Sequence, residues 1–240
     1  MPLTIPGRFS NRFEAGRALL AELTKKVPDF SVVGSPDPGE TVKLKKTLKN
    51  WLVVAVPRGG VPVAAYIADA LKLPLDVVLV KKLTPPDTHE LGVGAIAEDG
   101  GLLVDEKSAR EFGVTPPYIE AQRQRIMAEL TRKSTALHSK VPALAVKDKN
   151  VLLVDDGMAT GYTMRVAAEV LRRQGARSVV VAAPVASETA IELVQPEVAS
   201  IVAAKIDPGL YAVGSHYSDF EPVLDSEVSR LLEKNREVWA

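Results

Sequence analysis

The chain reads as an α/β protein built on an open, mostly parallel sheet flanked by helices. Three observations predict this. The runs WLVVAV (51–56), LDVVLV (75–80), VLLV (151–154), SVVVAAPV (178–185) and VASIVAA (198–204) are short, β-branched and apolar, the pattern of strands buried on both faces. Segments with helical spacing separate several of them, as βαβ crossovers require. Small or turn-forming residues follow the first and third runs, where such sheets collect ligands.

Residues 11–26 place Phe13, Leu19, Leu20 and Leu23 at near-helical spacing among charges, so an amphipathic helix is expected. Residues 28–50, with GSPDPGE and the basic KLKKTLKN, read as a loop or local excursion with solvated lysines. The first strand stops at Pro57, and VPVAAYIADALKL (61–73) is helical in pattern. LDVVLV is expected as a single strand with Lys81 and Lys82 at its exit. LTPPDTHELG (83–92) is rich in turn formers, and VGAIAEDGGLLVDE (93–106) suggests a hairpin arm about Gly100 and Gly101. A long helix is expected over 115–139 with a solvated basic face, and another over about 162–174. No repeat or boundary divides the 240 residues, which read as one domain.

Composition excludes several function classes. Thirty basic residues balance thirty acidic ones, leaving no bulk field to draw the chain to nucleic acid or an anionic membrane. The absence of cysteine removes disulfides, thiol nucleophiles and thiolate metal sites. His89, His138 and His216 are far apart and no short-spaced ligand motif occurs, so no protein-built metal centre is expected. No apolar run approaches the roughly 20 residues of a bilayer span, and no apolar signal core opens the chain. A soluble, cytoplasmic protein is the expectation.

The chemistry concentrates in VLLVDDGMATGYT (151–163). Asp155 and Asp156 stand where a buried strand ends, which aims at least one carboxylate into the crevice above the sheet. Gly157, Met158, Ala159, Thr160, Gly161, Tyr162 and Thr163 then turn into a helix, offering unpaired N–H groups, the helix dipole and hydroxyl donors to a phosphate. Neighbouring ligand hydroxyls suit the carboxylates, so a ribose 5-phosphate fits both halves. The loop lacks the Lys-Ser or Lys-Thr of a nucleoside-triphosphate P-loop. The other reading is that the aspartates cap the following helix while Gly161 makes the turn.

This stretch resembles the signature of the type I phosphoribosyltransferases, which use phosphoribosyl pyrophosphate (PRPP). EAGRALL, VPRGGVPVA, VLVKKLTPP, ELGVGAIAEDG and AVGSHYSDFEPVLD extend the resemblance to a group of predicted phosphoribosyltransferases over nearly the whole chain. The resemblance implies that Asp155 and Asp156 bind the ribose hydroxyls and that 157–163 hold the 5-phosphate. It also implies a pyrophosphate loop at PRGG, often with a non-proline cis peptide. Gly59 and Gly60 permit close approach there, Arg58 brings a permanent charge, and Lys81 and Lys82 are the further candidate catalytic cations.

By the same resemblance, Mg2+ is carried mainly by PRPP and water, and the chain works as a homo-oligomer, a dimer being favoured. A hood near 205–225 offers Tyr211, with Tyr217, Asp219 and Phe220 secondary, to stack on and hydrogen-bond a small nitrogenous acceptor such as a nucleobase. Segment 83–92 is a candidate closing loop, with His89 or Glu90 as proton-transfer candidates. Two departures limit the acceptor: Ala159 replaces the general-base aspartate of hypoxanthine-guanine enzymes, and no lysine after VVVAAPV reads a purine 6-oxo group. The alternative function is a PRPP-sensing regulatory protein without turnover.

Overall fold

The computed structural model describes residues 7–30, 46–86 and 92–239. In chain order the strands are β1 (Trp51–Ala55), β2 (Leu75–Val77), β3 (Val80–Leu83), β4 (Gly94–Ala97), β5 (Leu102–Val104), β6 (Asn150–Val154), β7 (Ser178–Ala186) and β8 (Ser200–Ile206). The α-helices are α1 (Arg12–Lys26), α2 (Gly60–Leu71), α3 (Glu106–Glu111), α4 (Pro116–His138), α5 (Tyr162–Arg173), α6 (Glu188–Val194) and α7 (Asp225–Trp239). Among the described residues no helix is long and apolar enough to cross a membrane.

The main sheet is parallel throughout, in the order β2-β1-β6-β7-β8. Alternation along its strands sends successive side chains to opposite faces. Val53, Ala55, Leu152 and Val154 join a core cluster with α1, α2, α4 and α7, whereas Leu52, Val54, Val151 and Leu153 join another with α5 and α6. Both faces are covered by helices, which is why the central strands β1, β6 and β7 are apolar over nearly their whole length.

The expected single strand LDVVLV is two strands in two sheets. Leu75–Val77 closes the edge of the main sheet, and the chain then bends so that Val80–Leu83 pairs antiparallel with β4. Val78 and Leu79 at the bend are also buried, at 2% and 5% exposed, so the apolar run carries no mark of the break. Lys81 and Lys82 consequently lie within β3 rather than beyond a strand. The hairpin arm is present as β4 and β5, paired Gly94 to Val104, with Gly100 at φ +85° in its turn.

Around the 28–50 excursion, the described ends form short 3-10 turns at Pro28–Phe30 and Lys46–Asn50. Phe30 packs on Trp51 at 4.5 Å between ring centroids, and Trp51 Nε1 donates to Asp29 at 3.0 Å, which returns the chain to β1. At the β2 edge the buried Asn235 of α7 accepts from Leu75 N at 2.8 Å and donates to Leu73 O at 3.2 Å. Asp76, 5% exposed, accepts from Leu144 N at 2.6 Å and faces Arg236 at 3.4 Å and His138 at 3.3 Å. A carboxylate inside an apolar strand is thereby partnered by α7, α4 and the segment leading to β6.

Candidate active site

From β1 the chain turns to β2 on one side, and it later returns as β6 on the other, so the topological switch lies between β1 and β6. Ala55 is in register with Val154, and Val56 N donates to Val154 O at 2.9 Å, so the two strands end level. Loop 57–60 and loop 155–161 leave them side by side. Their contact is close: a Cβ on Gly59 would overlap Asp156 Oδ2 and lie 2.6 Å from its Cγ, and one on Gly60 would lie 2.8 Å from Val154 O. The Pro57–Arg58 peptide is cis. Together the loops line a cleft of about 740 Å3, with Lys82 of the arm and Tyr211 also in its wall.

The carboxylate pair is strongly biased by its surroundings. Burial, followed by the neighbouring Asp156 charge, pushes the Asp155 carboxyl well above the ordinary carboxylate range. Burial also raises Asp156, opposed chiefly by Arg12. Arg12 Nε donates to Asp156 Oδ2 at 2.8 Å, and the two side chains are only 11% and 13% exposed. Asp155 Oδ1 accepts from Asp156 N at 2.8 Å. Neither aspartate caps α5, whose N-cap position is Gly161 at φ +80° with no side-chain cap bond. The helix-capping reading of the pair therefore fails, and the first turn of α5 presents N–H groups without a side-chain acceptor.

Within the loop, Met158 is structural. It is 2% exposed, its N donates to Val185 O at 2.9 Å, and its O accepts from Ser187 N at 2.9 Å. Thr160 and Thr163 line the cleft, as do Gly157, Ala159 and Gly161. Tyr162 turns to the arm instead, donating to Asp105 Oδ2 at 2.6 Å, and that bond helps hold the Asp105 carboxyl below its usual range. Gly157 leaves room for the hood, since a Cβ there would lie 2.6 Å from Val213 Cγ2.

The cations divide. Lys81 and Lys82 are adjacent in a strand and so face opposite sides. Both nonetheless line the cleft, and Lys81 also lines a neighbouring cavity of about 620 Å3 and donates to Glu129 of α4 at 2.6 Å. Arg58, about half exposed, has Asp225 at 3.9 Å. The two hood tyrosines divide as well. Tyr211 is 77% exposed on the cleft wall, but Tyr217 is 3% exposed, packed between Phe9 and Phe220. Its hydroxyl donates to Asp156 O at 2.6 Å, so it supports the carboxylate loop and offers no face to an acceptor. His89 and Glu90 lie outside the described residues.

Residues 41–202 match the phosphoribosyl transferase domain family. The chain belongs to that family. A Mycobacterium tuberculosis (strain ATCC 25618 / H37Rv) protein provisionally named a phosphoribosyl transferase is 32% identical over 186 residues, 78% of this chain. The match spans 42% of that protein, so the chain corresponds to less than half of its length. An adenine phosphoribosyltransferase of Mycobacterium avium (strain 104) is 29% identical over 159 residues, 66% of this chain and 76% of the relative. The crystal structure of TT1426 from Thermus thermophilus matches with a TM-score of 0.70 at 34% identity, covering 95% of this chain and 98% of that one.

In this phosphoribosyl transferase domain the matched range contains both loops and both lysines, but it ends before the hood and begins after α1. The residues that sequence reading missed come from those flanks. Arg12 lies 144 positions from Asp156, and no periodicity or spacing connects them. Val213 against Gly157 was likewise visible only as part of a hood segment, and Phe220, a secondary candidate for stacking on the acceptor, lies instead beneath the Arg12 guanidinium.

Proposed function

We propose that this chain transfers a phosphoribosyl group from PRPP to a small nitrogenous acceptor of the nucleobase type, with Mg2+, releasing pyrophosphate. The observation that carries this is the juxtaposition, at the β1/β6 switch, of a carboxylate pair, a helix N-terminus without a side-chain cap, and a second glycine loop with its arginine. In this reading Asp155 and Asp156 accept hydrogen bonds from the ribose hydroxyls. Thr160, Thr163 and the first turn of α5 hold the 5-phosphate. Arg58 and Lys82 face the pyrophosphate, with Lys81 behind them.

The bond from the anomeric carbon to pyrophosphate oxygen breaks as the bond to the acceptor nitrogen forms. Pyrophosphate leaves with the electron pair, and the acceptor's proton goes to water. The chain's contribution is positioning and charge. Mg2+ suits the donor set: the two carboxylates are the acidic side chains of the cleft, and among the described residues no group of three or more His, Asp or Glu could cage an ion. In this reading the ion would be held mainly by PRPP oxygens and water, and when bound it would supply neutralising charge at the leaving group. Tyr211 supplies the exposed aromatic face for the acceptor.

A PRPP-binding regulator without turnover is the second reading, favoured by the pairing of Lys81 with Glu129, which reduces the positive charge available to a leaving group. Calorimetric titration with Mg·PRPP, followed by a pyrophosphate-release screen across nucleobases, separates the two. Binding with base-dependent release supports transfer. Binding without release supports the regulator, and absence of binding overturns both.

A further inference from the structure

Asp156 is gripped at both ends by residues from outside the loop. Its carboxylate is paired with Arg12 from the first turn of α1, and its carbonyl accepts from Tyr217 of the hood. Arg12 is itself fixed in place: its Nη1 donates to Glu221 O at 2.8 Å, and its guanidinium centre lies 3.9 Å from the centroid of the Phe220 ring and 6.0 Å from that of Tyr217. Such a flat cation, stacked and hydrogen-bonded on two sides, has little rotamer freedom left, and a lysine cannot reproduce the arrangement.

Two adjacent, largely buried carboxylates repel each other, and a contacting cation is what keeps a member of such a pair in its ionised form. We infer that Arg12 is a positioning residue for ribose binding: it fixes the orientation and the negative charge of Asp156 and ties the hood segment 213–221 to that carboxylate. The inference rests on the functional reading above. It makes α1 and the hood, which lie outside the matched family range, parts of the substrate site.

The test compares wild type, Arg12→Gln, Arg12→Lys, Asp156→Asn and the Arg12→Gln/Asp156→Asn double variant, titrated calorimetrically with Mg·PRPP and separately with pyrophosphate. Arg12→Gln is expected to weaken Mg·PRPP binding by roughly 10- to 100-fold, less than the full cost of truncating one member of a buried charge pair because this pair keeps some solvent access. Pyrophosphate affinity, carried by Arg58 and its loop, stays at the wild-type value. Arg12→Lys recovers part of the loss. The double variant binds no worse than Asp156→Asn alone, because the arginine acts through that carboxylate.

Wild-type Mg·PRPP affinity in Arg12→Gln overturns the inference, as does an equal loss for pyrophosphate, or a double variant whose losses multiply. Where Arg12→Gln does not fold, Arg12→Lys carries the same comparison of the two ligands. A wild-type chain that binds neither ligand overturns the functional reading itself, and the role of Arg12 falls with it.

Discussion

Replacing Gly59 by alanine tests the closest approach in the site. At φ −62° the backbone accepts any residue, so the only objection to a methyl group is space. The added Cβ would overlap Asp156 Oδ2 and sit 2.6 Å from Cγ, where carbon atoms prefer about 3.5–4.0 Å, so the carboxylate or the loop must retreat by about 1 Å. A shift of that size disturbs the Arg12–Asp156 bond, now 2.8 Å, whose geometry tolerates only a few tenths of an ångström. A displacement of about 1 Å at a positioning group is worth about 100-fold in rate, and overpacking costs about 1–3 kcal/mol of stability. The assay is Mg·PRPP affinity and turnover beside a urea melt. The expected result is a large functional loss with a stability loss near the lower end, since a carboxylate yields more easily than backbone. Unchanged Mg·PRPP affinity in a folded Gly59→Ala variant would refute the claim that the two loops set the ribose site by contact.

Asp155→Asn should raise the melting temperature by a few degrees at neutral pH while abolishing tight PRPP binding. The sign follows from the raised carboxyl: its ionised form is disfavoured in the fold, so stability falls as pH rises from the unfolded value, about 3.9, through the higher folded one. Below about pH 4 the variant and wild type should melt together, and a wild type that is the more stable at neutral pH would contradict the buried-pair picture. Asp76→Ala should cost about 3–5 kcal/mol in denaturant unfolding, because it leaves Arg236 without its buried carboxylate; a loss under about 1 kcal/mol would show Arg236 to be solvated. Tyr211→Ala should change stability by no more than about 0.5 kcal/mol and raise KM for the acceptor alone, whereas Tyr217→Phe should cost about 1 kcal/mol and weaken PRPP binding, as thermal melts and two-substrate kinetics would reveal.

The main sheet was legible because central parallel strands, covered on both faces, leave continuous apolar runs in the sequence. The Asp155–Thr163 loop was legible because its chemistry is local: carboxylates, glycines and hydroxyls within a few residues of a strand end. The bend at Val78 and Leu79 was not, since burial on either side of a bend selects the same residues as burial along a strand. The inward turn of Tyr217 was hidden because its partners, Phe9 and Asp156, are distant in sequence. Asp76 did leave a signal. A carboxylate in the midst of LDVVLV requires buried cationic or N–H partners, and only the fold reveals that they are Arg236, His138 and Leu144 N.

The level ending of β1 and β6 makes the two loops the jaws of a caliper. Strands in a sheet lie about 4.8 Å apart, and the in-register pairs from Trp51–Asn150 to Ala55–Val154 lock their relative height. The relative height of the jaws is thus fixed by the hydrogen-bond ladder beneath them, while contact between the loops fixes how closely they meet. A slip of one residue along that ladder would offset one jaw by about 3.3 Å, more than half a furanose ring, and no loop substitution could restore the measure. If the cleft holds a ligand as proposed, the spacing of its two anion grips is therefore set partly by apolar strand residues beneath the loops.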